Sequence, residues 1–252
     1  MNNKINAGTE NGTGNTPADN YGKYRHLFFD LDHTLWDFET NARATLRELY
    51  EELRLKEKGV TDFEVFYRNY EQYNVKLWER YRNGFIKQEE LRVKRMRLAL
   101  LDFKIADEEL ANTMSTQFLD LLPTRKALFP NTIELLEYLQ NKNYELHLIT
   151  NGFEKTQHSK LKYSGLNIYF KEIITSEISN SLKPHKEIFD FALEKTHASK
   201  EESIMIGDSI EMDIIGAMNA GIDQVFVNHT NIKPEVKPTY TVHSLIEMET
   251  IF

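Results

Sequence analysis

The chain has 252 residues, of which 40% are hydrophobic, and its formal net charge at pH 7 is −8. This length supports one large or two smaller domains with a packed core, and the negative charge argues against binding to nucleic acid polymers or anionic membranes. The absence of cysteine excludes disulfides, thiolate nucleophiles and cysteine-ligated metal sites.

Residues 1–22 are rich in Asn, Gly and Thr, which predicts a disordered polar tail. This segment lacks the apolar core of a signal peptide. No stretch of the chain approaches the roughly 18 apolar residues that are needed to span a bilayer. We therefore expect a cytoplasmic protein with no membrane partner.

Residues 23–37 predict a buried strand and a turn, with Asp30 and Asp32 at the strand end. Alternate residues of a strand share a face, so the two carboxylates would point the same way. Two like charges about 4 Å apart near a protein surface repel by about 4 kcal/mol. The rest of the chain must therefore supply something that offsets this repulsion.

Residues 38–121 predict four amphipathic helices and no strand, which is typical of a helical bundle. Gly84 is expected to end the second of these helices, and Asp107 to cap the fourth. From residue 122 onwards, helices alternate with short hydrophobic strands as far as residue 252. This alternation is typical of a parallel sheet with helices on both faces.

The predicted fold class is therefore α/β. A Rossmann-like, doubly wound parallel sheet would be built from residues 23–37 and 122–252, and residues 38–121 would be inserted as a helical-bundle domain. In such sheets, ligands bind beyond the carboxyl ends of the strands. The predicted strand ends and the following loops carry the polar groups Asp30, Asp32, Thr150, Asn151, Gly152, Lys183, Asp208 and Asp213.

Taken singly, these residues are typical of turns and helix caps, but their combination favours phosphoryl chemistry. Asp30 and Asp208 would offer the hard oxygen ligands that Mg²⁺ prefers, and Lys183 would add positive charge. A phosphate would bind the Thr150 hydroxyl and the backbone N–H groups of Asn151 and Gly152.

Asp30 is then the candidate nucleophile for in-line attack on phosphorus. Asp32 is the candidate general acid and base, which protonates the departing ester oxygen and later takes a proton from water. The sequence therefore predicts a phosphatase or phosphotransferase site.

Four segments, "FFDLDHTL", "LITNG", "LKP" and "IGDSIEMD", resemble in order the four motifs of the haloacid dehalogenase (HAD) superfamily. The resemblance covers roughly residues 24–252 and implies an aspartyl-phosphate on Asp30 with Asp32 as acid/base. It also implies Mg²⁺ ligation by the Asp30 side chain, the Asp32 backbone carbonyl and Asp208. Asp213 would support the site through water or Lys183, and the inserted helices would form a C1-type cap.

The presence of Asp32 favours phosphate ester hydrolysis over C–halogen cleavage, since dehalogenase members lack the second acidic residue. The segments "LWDFETNA", "LWERYRNGFI" and "ITNGF" resemble house-cleaning pyrimidine 5′-nucleotidases. This closer resemblance implies hydrolysis of nucleoside monophosphates, including deoxypyrimidine nucleotides. The candidate base-contacting residues are Trp36, Phe38, Trp78, Arg80, Tyr81, Asn83 and Phe85. The alternative for the aromatic ones is that they fill the core of the bundle.

Two further functions stay open from the sequence. One is a phosphatase for sugar phosphates or phosphoglycolate, and the other is a catalytically silent HAD-like binding module. The expected partner is a small phosphorylated metabolite, and the expected state is a monomer or weak homo-oligomer. The histidines show no His-x-x-x-His spacing, so a zinc site is not expected.

Overall fold

The computed structural model describes residues 22–252. The tail predicted for residues 1–22 therefore lies outside the described residues, except for Gly22. Within the described part of the chain, no helix is both long and apolar enough to cross a membrane.

In residues 22–252, six parallel strands form one sheet with the order β3-β2-β1-β4-β5-β6. β1 lies at the centre between β2 and β4, and the chain crosses from β3 at one edge to β4 on the other side of β1, which is the doubly wound arrangement. The strands are β1 (His26–Phe29), β2 (Glu145–Thr150), β3 (Glu172–Thr175), β4 (Ser203–Gly207), β5 (Asp223–Val227) and β6 (Tyr240–Val242).

The described residues form nine α-helices around this sheet. They are α1 (Phe38–Glu52), α2 (Phe63–Arg82), α3 (Gln88–Leu101), α4 (Glu108–Leu121), α5 (Thr132–Asn141), α6 (Glu154–Ser164), α7 (Ser176–Ser179), α8 (Lys186–Thr196) and α9 (Gly216–Ala220). Short 3₁₀ turns lie at Leu122–Thr124, Leu166–Ile168 and Leu245–Thr250. The predicted α/β fold class, with four helices inserted after the first strand, is confirmed.

The alternation of side chains along β1 separates the two layers of the core. Leu27 and Phe29 are fully buried with Leu135 of α5 in one hydrophobic cluster. Phe28 points to the other face and is buried with Phe189 of α8 and Ala217 of α9. Because both faces of the strand are apolar, helices must cover the sheet on both sides.

The two helix ends predicted within the insertion, at Gly84 and Asp107, are found in the structure. The Asp62 side chain accepts backbone hydrogen bonds at the start of α2, and Asp107 does so at the start of α4. Gly84 follows α2 with φ +72°, a conformation that strongly favours glycine. Leu46 and Phe118 of the inserted helices belong to the same hydrophobic cluster as the sheet face. The insertion is therefore packed onto the sheet domain by apolar contacts.

One predicted helix differs from the expectation. The segment before α9 begins as a π-helix, Ile210–Ile215, in which the Ile214 N–H donates to the Ser209 carbonyl at 3.2 Å. In the same turn the Ser209 N–H donates to Asp213 Oδ2 at 3.0 Å. Such π-helical turns occur frequently at functional sites.

Candidate active site

A cleft of about 300 Å³ lies between the carboxyl edge of the sheet and the helices α1 and α2. Its lining includes all eight polar residues predicted at the strand ends and the following loops, namely Asp30, Asp32, Thr150, Asn151, Gly152, Lys183, Asp208 and Asp213. Residues that are far apart in the chain converge here because the parallel strands all end at this edge.

Lys183 lies at the base of the cleft, with a side chain only 2% exposed. Its Nζ donates to Asp30 Oδ1 at 2.5 Å, to Asp213 Oδ1 at 2.6 Å and to the Ile149 carbonyl at 2.8 Å. All three donors of the ammonium group are therefore used, as a buried charge requires. The lysine joins the end of β1 to the π-helical turn.

Asp208 is held by the loop that follows β1. The Thr34 hydroxyl donates to Asp208 Oδ1 at 2.8 Å and accepts from the Asp208 N–H at 3.1 Å. Gly207, just before it, is required by packing, since a Cβ there would lie 2.3 Å from Asp213 Oδ2. Thr34 is a site residue that the sequence reasoning left without a role.

The carboxylates of Asp30, Asp208 and Asp213 offer oxygen atoms within 4.8 Å of one another. Burial, followed by repulsion from Asp213 and Asp208, raises the pKa of Asp30 to about 8 despite the opposing effect of Lys183. Burial and the Asp213 carboxylate likewise raise the pKa of Asp208 to about 7. Burial opposes the charge of Lys183, but the Asp213 and Asp30 carboxylates raise its pKa overall.

The charges and donor atoms of this cluster show whether it fits a metal ion. The buried carboxylates of Asp30 and Asp213 and the partly buried carboxylate of Asp208 face one lysine, so the cluster, when fully ionised, would carry an excess of negative charge that the described side chains do not neutralise. An all-oxygen donor set with this charge suits a divalent cation such as Mg²⁺. The cluster is therefore compatible with the predicted metal site.

Asn151 connects the end of β2 to the Lys183 loop. Its Nδ2 donates to the Lys183 carbonyl at 2.9 Å, and its Oδ1 accepts from the Lys183 N–H at 2.7 Å. Beside it, the Gly152 N–H donates to the Thr150 hydroxyl at 3.1 Å. The Asn151 side chain thus positions the lysine, a contact that the sequence reasoning did not anticipate.

Asp32 contacts two residues of α6 that the sequence reasoning missed. Gln157 Nε2 donates to Asp32 Oδ2 at 3.0 Å, and Lys160 Nζ lies 2.6 Å and 2.8 Å from the two carboxylate oxygens. Both side chains are buried, with exposed fractions of 0% and 3%. A sequence signal existed: a Gln and a Lys three residues apart share one face of the helix that follows the Thr150 strand end.

The seven predicted base-contacting residues divide into two groups. Phe38 and Trp78 line the cleft. The other five do not line it. Trp36 is fully buried in the core, and Tyr81 packs on Trp78 and Phe153. Near the end of α2, Arg80 lies over the ring of Phe85, which is 70% exposed, and the Asn83 side chain donates to the Glu79 carbonyl.

Helix α2 contributes other residues to the cleft, namely Asn74, Val75 and Arg82. Asn74, Trp78 and Arg82 are spaced four residues apart, which places them along one face of the helix. The Trp78 ring stacks on Phe153, with ring centroids 5.2 Å apart. The four-residue spacing of this amide, indole and cation is visible in the sequence.

Comparison with known proteins agrees with this geometry. The profile of the haloacid dehalogenase-like hydrolase family matches residues 24–221. The chain is 32% identical over 224 residues to the pyrimidine 5′-nucleotidase PynA of Streptococcus pneumoniae, covering 88% of this chain and 92% of that protein. It is 31% identical over 232 residues to the pyrimidine 5′-nucleotidase YjjG of Escherichia coli, covering 91% and 98%.

Among solved structures, the magnesium-bound HAD-hydrolase YfnB of Bacillus subtilis superposes with a TM-score of 0.82 at 28% identity. This match covers 91% of the present chain and 99% of YfnB. The resemblance predicted from the four motifs is confirmed. The protein is an enzyme that belongs to the haloacid dehalogenase-like hydrolase family.

Proposed function

We propose that this hydrolase is a phosphomonoesterase that removes phosphate from nucleoside 5′-monophosphates and prefers (deoxy)pyrimidine nucleotides. The observation that carries the proposal is the buried Lys183 ammonium, which joins Asp30 to Asp213 at the base of a cleft that Asp32 also lines. This places a held carboxylate, a second carboxylate and a fixed positive charge around one space.

Asp30 is the nucleophile of this proposal. Lys183 donates to its Oδ1, and in the described part of the chain no hydrogen-bond donor reaches its Oδ2. One carboxylate oxygen is therefore held while the other keeps its lone pairs for attack on phosphorus. Lys183 also reduces the repulsion between two anions, since its charge lies beside the attacking group.

Asp32 is the general acid and base. As Asp30 forms its bond to phosphorus, the ester P–O bond breaks and the Asp32 proton passes to the leaving oxygen. Water then attacks the aspartyl-phosphate, Asp32 takes the proton of that water, and the bond between Asp30 and phosphorus breaks. The products are a nucleoside and inorganic phosphate, and the enzyme regains the Asp30 carboxylate and the protonated Asp32.

Mg²⁺ is the proposed cofactor, held by the Asp30 and Asp208 carboxylates and the Asp32 backbone carbonyl, with Asp213 in support. When bound, it would supply positive charge that offsets the repulsion between the carboxylates and the phosphate. The Thr150 hydroxyl lies at the same edge of the cleft and is the proposed hydroxyl donor to a phosphate oxygen.

The cleft-facing residues of α2 support nucleotide recognition. Trp78 is held by stacking on Phe153 and offers an aromatic surface to a base. Asn74 Oδ1 accepts from the buried Arg95 at 2.9 Å, so its amide N–H groups are left to donate. A pyrimidine presents carbonyl oxygens that can accept such a hydrogen bond.

The relatives named pyrimidine 5′-nucleotidases favour the same substrate class. We also propose the division of the chain into the sheet domain, 23–37 and 122–252, and a cap, 38–121, that closes over the substrate to exclude water. A cytoplasmic location, and a state no larger than a monomer or weak homo-oligomer, belong to the same proposal.

The direct test is phosphate release from a panel of monoesters, assayed with Mg²⁺ and with EDTA. The panel contains dUMP, dTMP, UMP, dAMP, glucose 6-phosphate and phosphoglycolate. We expect Mg²⁺-dependent release that is fastest with the pyrimidine deoxynucleotides. Preference for the sugar phosphate or phosphoglycolate would contradict the cap assignment, and release from none of the esters would favour the binding-module alternative.

Base recognition is tested by Asn74→Leu. This change removes the amide donors from the cleft, and we expect kcat/KM for dUMP to fall about 10-fold or more, since a lost hydrogen bond typically costs about 1.4 kcal/mol in this range. Hydrolysis of 4-nitrophenyl phosphate, which has no such carbonyl groups, should stay within about twofold of the wild type. Asn83→Leu, at the exposed end of the same helix, is the matched control, and an equal loss in both variants would contradict the assignment.

A further inference from the structure

Lys160 is a buried lysine outside the motifs that define the site. Its side chain is 3% exposed, and Asp32 is its one carboxylate partner in the described part of the chain. The Nζ atom contacts both Asp32 oxygens, at 2.6 Å and 2.8 Å. A buried ammonium group is costly unless it is paired, so this contact determines where both side chains lie.

The surroundings of Lys160 hold the ammonium group in place. Nζ lies 4.5 Å from the centroid of the Trp36 ring and 5.5 Å from that of the Phe38 ring. Both distances are within the range of cation–π attraction. Trp36 and Phe38 flank the start of α1, so the lysine connects α6, the Asp32 loop and the beginning of the inserted helices.

Gln157 adds a third hydrogen bond to the same carboxylate. Its Nε2 lies 3.0 Å from Asp32 Oδ2 and 2.7 Å from the Thr150 hydroxyl. Gln157 and Lys160 lie on adjacent positions of one face of α6. This helix therefore fixes the orientation of the Asp32 carboxylate through two side chains that do not line the cleft.

We propose that Lys160 is a positioning residue for hydrolysis, which acts through Asp32 by holding the carboxyl group where it can reach the leaving oxygen. The proposal rests on the proposed phosphatase function. Asp32 lines the cleft, whereas Lys160 does not, so the lysine acts on the substrate only through Asp32. During the reaction the proton passes from Asp32 to the leaving oxygen while the P–O bond breaks, and Lys160 keeps all of its protons.

The test compares two esters that differ in how much they need an acid. A nucleoside 5′-phosphate expels a poor leaving group that requires protonation, whereas 4-nitrophenyl phosphate expels a stable phenolate. We expect Lys160→Met to lower kcat for dTMP about 100-fold, in the range typical of general acid catalysis. The KM for dTMP should change little, and kcat/KM for 4-nitrophenyl phosphate, which reports formation of the aspartyl-phosphate but not its Asp32-assisted hydrolysis, should fall less than about 5-fold.

Combining Lys160→Met with Asp32→Asn distinguishes an action through Asp32 from a purely structural role of Lys160. If Lys160 acts through Asp32, the double variant Asp32→Asn/Lys160→Met should be no slower than Asp32→Asn alone, because the two residues form one unit. Lys160→Arg keeps the charge and the donors and should recover part of the lost rate. Lys162→Met removes an exposed lysine from the same helix and should behave as the wild type.

Four outcomes would overturn the proposal: equal losses with both esters, additive losses in the double variant, no recovery with Lys160→Arg, or wild-type rates in Lys160→Met. If the Met variant does not fold, as judged by circular dichroism, Lys160→Gln is assayed in its place with the same expectations. A wild-type protein inactive on both esters contradicts the proposed function and this proposal together. An active wild type with an unselective Lys160→Met variant contradicts this proposal alone.

Discussion

The two ends of the sheet each bring three titratable side chains together, yet they differ in charge. At the carboxyl edge, Asp30, Asp208 and Asp213 offer oxygens within 4.8 Å of one another. At the amino edge, His26 and His147 lie together with Glu145, again with potential ligand atoms within 4.8 Å. Proximity alone therefore does not distinguish the two clusters.

The amino-edge cluster follows from strand register. His26 pairs with Glu145 and Phe28 with His147 across the parallel strands β1 and β2, so all four side chains share one face. His26 Nδ1 lies 3.2 Å from His147 Nε2. The spacing of histidines in the sequence did not reveal this pair because its members come from neighbouring strands.

The amino-edge charges are compensated by the protein itself. Glu145 forms ion pairs with Arg25 at 2.9 Å and Lys171 at 3.0 Å. Burial lowers the pKa of His26, and burial together with His26 lowers the pKa of His147 to about 3. Both histidines are therefore neutral at pH 7, whereas at the carboxyl edge three carboxylates share one lysine beside an open cleft, and burial together with their repulsion raises the pKa values of Asp30 and Asp208. Carboxylates that share too few positive partners beside a cleft therefore indicate a reactive site.

The largest expected effect is that of Asp30→Asn. Loss of the nucleophile should lower phosphate release from dTMP by at least about 10⁴-fold, a size typical of losing a covalent catalytic group. The fold should persist, since Asn keeps the shape of Asp. Phosphate assays and thermal melting measure the two properties, and His26→Gln at the amino edge should retain activity. An active Asp30→Asn variant would refute the nucleophile assignment.

A smaller effect is expected on Mg²⁺ binding. Asp208→Asn removes one carboxylate from the charged cluster, and we expect the Kd for Mg²⁺ to rise at least about 10-fold by titration calorimetry, in line with losses at perturbed metal sites. Glu145→Gln removes the same charge from the amino edge and should leave the Kd unchanged. An equal increase of the Kd for Mg²⁺ in the two variants would contradict the assignment of the metal site to the carboxyl edge.

The smallest effect concerns stability at acid pH. Because the folded protein keeps His147 neutral down to a pKa of about 3, the unfolded state binds more protons below pH 6.5. The contribution of His147 to the free energy of unfolding therefore falls as pH is lowered from 6.5 towards 3. His147→Phe removes this contribution, so the slope of the unfolding free energy against pH should differ from that of the wild type by up to about 1.4 kcal/mol per pH unit.

Urea denaturation at pH 7, 6, 5 and 4.5 measures this slope. His158→Gln, an exposed histidine on α6, is the control and should keep the wild-type slope. Activity of His147→Phe at pH 7 should stay within about twofold of the wild type, since the residue lies at the edge opposite the cleft. An unchanged slope in His147→Phe would show that this histidine does not limit acid stability.

The sequence by itself determined the α/β fold and the edge of the sheet where the polar residues collect. Apolar strands alternating with helices leave few arrangements other than a parallel sheet, and Asp30, Thr150 and Asp208 end or directly follow those strands. Local signals were also sufficient for the helix ends at Asp107 and Gly84. The interactions that determine these two helix ends lie within a few residues of one another.

The tertiary structure alone decided which helix residues meet the site. Lys160 reaches Asp32 across 128 positions of sequence, and Arg95 orients Asn74 across 21. Trp36, aromatic like Trp78, is buried in the core, whereas Trp78 lines the cleft. Periodicity identifies the face of a helix, but the partner of that face depends on how helices pack in three dimensions. Long-range packing therefore determines which of these side chains contact the site, and no local sequence pattern could have predicted it.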